Sequence, residues 1–354
     1  MQVFMRGFRG HRPGWSAAAI VAFILLLGAF APRSTFAASA PAGDVQLTGV
    51  PAAGVHYYRM TTLVVSYEPD GRRHAPDAYE LWVEYALQPD GDISLTCRRF
   101  DWGSGDSSRA EIPSLRDWTY RTRLTRSRRD ERGWIFGVDQ SKFASITDSR
   151  GTTLPQGNGY CVFNAFVDFH SFADVFIRRA DGGGIQDLRR MGQRVVHAAA
   201  HRDAPISLEG VADTSSTFKL GKVTLDLKGT SLVDGHRCAL VGYDSGDASL
   251  TMTLKPAPQV TVAIHGGSHF FGDLYVDLAT QALRKATLAE FVVQEISGAA
   301  LPQTIHTVIE RKLVLRDLSK EEFEASLRPS TTDSAGISST HLPRLARATR
   351  SSRS

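Results

Sequence analysis

The chain has 354 residues, of which 42% are hydrophobic, 22% charged and 9% aromatic. This composition supports an ordinary packed core and excludes a low-complexity or disordered body, and the length allows one large domain or two medium ones. The net charge of +4 is uneven: residues 1–37 and 328–354 each hold a net +4 and leave 38–327 at −4, so nucleic acid is not an expected partner.

Arg6, Arg9 and Arg12 precede an unbroken apolar or small-residue run at 15–31. A basic start, an apolar stretch and small residues at Thr35 and Ala37 predict a secretory signal over 1–37, cleaved after Ala37. The run has 17 residues, at the short edge of a bilayer span, so an uncleaved anchor is the alternative. No later run is long enough to cross a membrane, so no transmembrane span is expected after cleavage.

Residues 44–155 read as an antiparallel β unit. In 77–88, Tyr79, Leu81, Val83, Tyr85 and Leu87 alternate with polar residues, which predicts a strand with one buried face. Strands are expected at 56–67, 93–102, 118–126 and 133–139, with proline-aspartate-glycine turns at 69–71 and 89–91. Residues 160–200 read as a helical connector. Val162, Phe166, Phe169, Phe172 or Ala173, and Phe176 recur at helical spacing, and the glycines at 182–184 end the stripe. A weaker helical or extended segment covers 185–200.

Residues 205–327 return to strands at 215–229, 230–246, 259–264, 272–278, 285–296 and 304–318, with Asp234-Gly235 set for a tight turn. The last two are long, which favours strong curvature. Ser319 and Glu322 form a capping-box pattern before a short helix. The tail 328–354 is rich in Ser, Thr and Arg and predicts a disordered basic end, with an anionic envelope surface as the partner it would suit.

Chemistry-bearing patterns are sparse. His265, His269 and Asp273 recur every fourth residue in HGGSHFFGDLYVDL. Two consecutive glycines cost a helix there about 1 kcal/mol each, so the segment reads as strand, glycine-rich loop and strand; the loop is the candidate divalent-metal site. HAAAH at 197–201 lacks the glutamate that a zinc protease carries after its first histidine. Asp168, His170 and Asp174 share a helical segment, and Asp168 with His170 forms the other candidate hydrolase centre. The acidic glycine-rich stretch 101–108 reads as a loop, and the arginines and aromatics of 118–129 as a wet strand face with a basic loop. No nucleophile elbow, phosphate loop or dinucleotide fingerprint occurs, and no cofactor is expected. Cys97, Cys161 and Cys238 allow one disulfide with a thiol left over, or three thiols; spacing does not choose.

Residues 228–244, KGTSLVDGHRCALVGYD, and 272–288, GDLYVDLATQALRKATL, resemble exported bacterial β-rich families of unknown function. Over about 228–318 the pattern is similar in outline to periplasmic lipid and lipoprotein carriers. The resemblance implies a curved sheet and an exported protein, secreted or periplasmic, and assigns no catalytic residue.

The expected fold is mainly β (α+β): antiparallel curved sheets, packed on each other or merged into a half-barrel, with a central helical insertion. The expected function is a non-catalytic envelope binding protein or carrier for a lipid or other apolar ligand. Leu225, Val276 and Ile309 would line its concave face. A metal-dependent secreted hydrolase and a structural or interaction module of the envelope are the competing classes.

Overall fold

The computed structural model describes residues 44–105, 108–123, 134–154, 156–204, 216–257, 260–299 and 301–328. The expected signal and the tail beyond Arg328 lie outside the described residues. The elements in chain order are β1 (Gly54–Tyr67), β2 (Asp77–Leu87), β3 (Asp92–Ser104), β4 (Ala110–Glu111), β5 (Trp118–Arg123), α1 (Gln156–Phe176), β6 (Arg194–Val196), β7 (Asp203–Ala204), β8 (Thr217–Lys219), β9 (Thr224–Val233), β10 (His236–Asp244), β11 (Ala248–Ala257), β12 (Val260–Asp277), β13 (Leu283–Ser297), β14 (Ile305–Leu318) and α2 (Lys320–Leu327). The fold is mostly β, as expected.

All fourteen strands belong to one open, curved antiparallel sheet, so the two β stretches share a sheet rather than stacking as two. Its middle runs β3-β2-β1-β14-β13-β12. The sheet forks at β12, whose first half pairs with β11 and whose second half pairs with β10. β11 was not read from the sequence, although Leu250, Met252 and Leu254 alternate with Ser249, Thr251 and Thr253.

β12 corrects the expected loop. Its 18 residues run unbroken through HGGSHFFGDLYVD, roughly 55 Å of strand, and pair with β13 from Ala263 to Val276. The glycines serve the bend. A Cβ on Gly272 would overlap the Thr287 carbonyl oxygen, and one on Gly266 the Val293 carbonyl oxygen. Glycine inside a strand marks such close backbone approach. The strand expected at 133–139 is a tight turn instead, with an Ile135–Val138 bridge and positive φ at Phe136 and Gly137.

The inner face of the sheet holds the core. Tyr79, Leu81, Val83 and Tyr85 of β2, Met60 of β1, Leu313 and Leu315 of β14, and Leu274 and Val276 of β12 all belong to it. α1 lies against them. Phe163, Phe166, Phe169 and Phe172 are buried, with Phe166 stacked on Phe100 at 5.9 Å and Phe169 edge-on to Tyr58 at 5.5 Å. Burial of each ring is worth about 2–3 kcal/mol before entropy. Gly159 lets the helix approach the Phe143 carbonyl oxygen, which a Cβ would crowd at 2.6 Å. The outer face carries α2, where Phe323 packs on Tyr57 at 5.2 Å and Ser326 accepts from Trp82 Nε1 at 3.0 Å. The capping box at Ser319 and Glu322 forms as expected.

Gly272→Ala should cost about 1–3 kcal/mol, the usual range for overpacking, while His265→Ala on the exposed outer face stays within about 0.5 kcal/mol. Urea denaturation of the two variants checks this; equal midpoints would show that the bend tolerates a Cβ.

Candidate functional site

Alternation along the central strands fixes what faces inward. Cross-strand pairing aligns inner-face rows: Met60 with Leu315, Thr62 with Leu313, Val64 with Arg311 and Ser66 with Ile309. On the far side of β14, Ala286 aligns with Leu315, Leu288 with Leu313, Glu290 with Arg311, Val292 with Ile309 and Ile296 with Ile305. β12 adds Leu274, Phe270, Ser268 and Ile264 to the same face.

These rows divide into two halves. In the rows of Leu315 and Leu313 the apolar side chains belong to the packed core or, at Leu288, pack against it. Beyond Arg311 the helix no longer covers them, and Val292, Ile296, Ile305 and Ile309 are half-buried and outside the core cluster. The result is a trough of aliphatic side chains bordered on one side by α1.

A polar cluster marks the border. Arg311 donates from Nη1 to Glu290 and from Nη2 to Asp168 of α1, and Ser268 Oγ donates to the other Glu290 oxygen at 2.7 Å. Burial pushes the Asp168 carboxyl up to about 6, against the pull of the Arg311 guanidinium. The two carboxylates beside Arg311 hold its guanidinium well above the usual arginine range despite burial. Asp77, aligned with Val64 on β1, stands on the same face, and burial raises its carboxyl. Cys161 of α1 is half-buried near Tyr79, Asp77 and Arg311; burial raises its thiol. A buried pair broken from one side leaves an uncompensated charge, so this cluster fixes α1 to the sheet.

Of the three residues expected to line the concave face, Leu225 and Val276 belong to the packed core at 0% and 1% exposure, while Ile309 lies in the trough. His265, His269 and Asp273 are not brought together. They share the outer face of β12 at steps of about 13 Å along the strand. Each has its own surroundings: His265 is exposed, His269 lies between Asp244 and Asp247 at 3.1 Å each, and Asp273 accepts from Lys228 Nζ at 2.6 Å. Among the described residues no three His, Cys, Asp or Glu side chains are grouped to hold a metal ion.

Asp168 and His170 also part company. Asp168 turns to Arg311, whereas His170 is buried on the other side of α1 with its Nε2 at 2.6 Å from the Tyr120 hydroxyl. Burial lowers the His170 imidazole to about 3 and raises the Tyr120 phenol, so the pair is a hydrogen bond between two neutral groups. The side chain of Asp174 lies outside the described residues. The 197–201 segment is a turn in which His197 Nδ1 accepts from the Ala199 N–H at 3.2 Å. Residues 101–104 complete β3 and Trp118–Arg123 forms β5; residues 106–107 and 124–129 lie outside the described residues. The three cysteines are unbridged.

Arg311, Glu290 and Ser268 were missed by reasoning from motifs. Their signal was a break in alternation. Arg311 interrupts the inward row Ile309, Leu313, Leu315, and Glu290 interrupts Ala286, Leu288, Val292.

No protein-family model matches the sequence, and no curated protein does. Among solved structures, a DUF1329 family protein from Desulfovibrio piger matches at 11% identity with a TM-score of 0.13, over 77% of this chain and 92% of that one. So distant a likeness carries no argument about function. Among the described residues no helix is long and apolar enough to cross a membrane.

Arg311→Met should destabilise the fold by about 3–5 kcal/mol, because Asp168 and Glu290 lose their shared cation, and adding Asp168→Asn and Glu290→Gln should restore much of the loss. Urea denaturation of single and triple variants reads it out; a neutral single variant would mean the cluster is solvated. His170 has a depressed imidazole pKa, so its stabilisation is complete above about 6.5 and falls away as pH drops towards about 3. The slope from this residue is at most about 1.4 kcal/mol per pH unit, and Asp168, with its raised pKa, offsets part of it by favouring the folded state as it takes up its proton. His170→Gln should flatten the acid limb of a stability–pH curve measured from pH about 7 to about 4; an unchanged limb would assign the acid sensitivity elsewhere.

Proposed function

We propose that this protein is an exported, non-catalytic carrier-type binding protein whose inner-face trough takes the apolar chain of a lipid or another amphiphile. One observation carries the reading: the aliphatic rows of β12, β13 and β14 continue beyond the end of the packed core as half-buried side chains, next to a polar cluster. Concave, mostly apolar surfaces with a few convergent polar groups are the common form of a small-molecule site. Val292, Ile296, Ile305 and Ile309 supply the apolar lining, and the border with α1 is where a polar end would rest.

The compartment belongs to the proposal too. It rests on the basic, apolar and small-residue pattern of 1–37. The hydrolase alternative loses its main support, since its candidate ligands stand apart on the outer face and the other candidate pair points to opposite sides of α1.

Extraction of the purified protein followed by mass spectrometry should recover a co-purified amphiphile. Binding of a neutral fluorescent alkyl probe should weaken at least about tenfold in Ile309→Asp, because a carboxylate in an apolar trough is left without a partner. Circular dichroism must show that the variant keeps its sheet. Empty extracts together with unchanged probe binding in folded Ile309→Asp would end the carrier reading.

A further inference from the structure

The charges on the inner face are lopsided. The described inner-face positions of the trough, Val64, Ser66, Ile264, Ser268, Phe270, Val292, Gln294, Ile296, Ile305, Thr307 and Ile309, include no basic residue. Among the described residues the only inner-face cation at its border is Arg311, and both terminal nitrogens of that guanidinium are already committed, to Glu290 and to Asp168. Against this single cation stand three carboxylates, those of Asp77, Asp168 and Glu290. Asp77 is half-buried, has Ser104 as its hydrogen-bonding neighbour and has no ion-pair partner among the described residues.

A second, separate observation lies beside Asp77. The Tyr79 hydroxyl is in a side chain only 2% exposed, next to Cys161 and Asn158, and makes no hydrogen bond of acceptable geometry. Buried hydroxyls without a partner are uncommon, and each calls for a specific explanation. The Tyr79 oxygen lies near the uncompensated Asp77 carboxylate.

We infer that the trough selects amphiphiles whose polar end is a positively charged nitrogen, such as an alkylammonium, over those ending in a carboxylate or phosphate. This rests on the carrier reading and names its ligand class. An anionic head would meet three carboxylates and no free donor cation, and like charges brought together in a half-buried site repel. An ammonium offers three donors and no acceptor, which suits the Asp77 carboxylate and the Tyr79 oxygen. Burial raises the carboxyls of Asp77 and Asp168.

The test is a competition series. The purified protein is loaded with a neutral fluorescent alkyl probe at about pH 8 and challenged, below micelle concentration, with decylamine, decyltrimethylammonium, decanol, decanoate and decyl phosphate. The two cations should displace the probe at concentrations at least about tenfold lower than decanoate or decyl phosphate, with decanol between them. Asp77→Asn should shrink that preference at least about threefold. If decanol competes and decanoate binds as tightly as decylamine, the charge inference falls while the carrier reading stands. A preference that survives both Asp77→Asn and Asp77→Asn with Glu290→Gln also overturns it, because the selectivity would then arise from the protein's overall charge. If no compound competes and the probe does not bind, both fall.

Discussion

A curved antiparallel sheet has an inner face that must be covered by something apolar, because each of its strands turns every second side chain towards the hollow. In this protein that requirement governs the rest. The sheet is open at its edges, so it cannot fill itself as a small closed barrel does. α1 meets the requirement for one half. Four phenylalanines of the helix are buried, and two of them, Phe166 and Phe169, lay their rings on Phe100 and on Tyr58 and Tyr85, which are buried as well. Where the helix stops covering the sheet, the same strands continue with the same alternation, and their inner side chains are only half-buried. The carrier reading is the functional counterpart of that unfinished coverage.

The boundary between the halves is held by charge rather than by more hydrophobic contact. Arg311 joins β14, β13 and α1 through Glu290 and Asp168, and Ser268 brings in β12. Such a cluster is poor value as net stabilisation, since desolvation offsets much of the attraction. Its effect is positional. It fixes one rotation of the helix about its own axis, because Asp168 must meet Arg311 while His170, two residues on, must meet Tyr120. Phe166 and Phe169 are then delivered to their partners without slack.

Much of the architecture was legible from two-residue and helical periodicities. The strands of β1, β2, β3, β13 and β14, the turn at Asp234-Gly235, the Phe-rich helix and the Ser319 capping box all follow from local rules that tertiary context did not override. Two failures have physical causes. Glycine at 266 and 267 reads as a loop by local chemistry, yet Gly266, like Gly272 at the start of the next expected strand, sits where β12 passes so close to β13 that no Cβ fits, a constraint set by a partner strand some twenty residues away. In 133–139, apolar residues suggested a strand, but the left-handed conformations of Phe136 and Gly137 fold them into a turn against Arg121 and Thr122. The polar cluster was hidden for a different reason. Arg311, Glu290 and Asp168 come from three elements that no sequence spacing relates, and only the register of β13 on β14 shows that two of them are neighbours.

Register also decides between the two ways of reading histidine and aspartate in β12. A period of four on a helix gathers side chains into a site; the same period on a strand keeps them on one face but spreads them along a line. His265, His269 and Asp273 therefore end up as separate outer-face residues, two of them with neighbours of opposite charge from β10, the β10–β11 connection or β9. The intervening positions, Ile264, Ser268 and Phe270 among them, face the hollow. The segment that looks most chemical in the sequence thus contributes its plainest residues to the inner face. The charged groups at the border of the trough that come from strands, Asp77, Glu290 and Arg311, are ones whose charge departs from an otherwise apolar inward row. In a sheet protein of this kind, a charged residue out of phase with its strand is a better pointer to a site than a charged residue in a suggestive cluster.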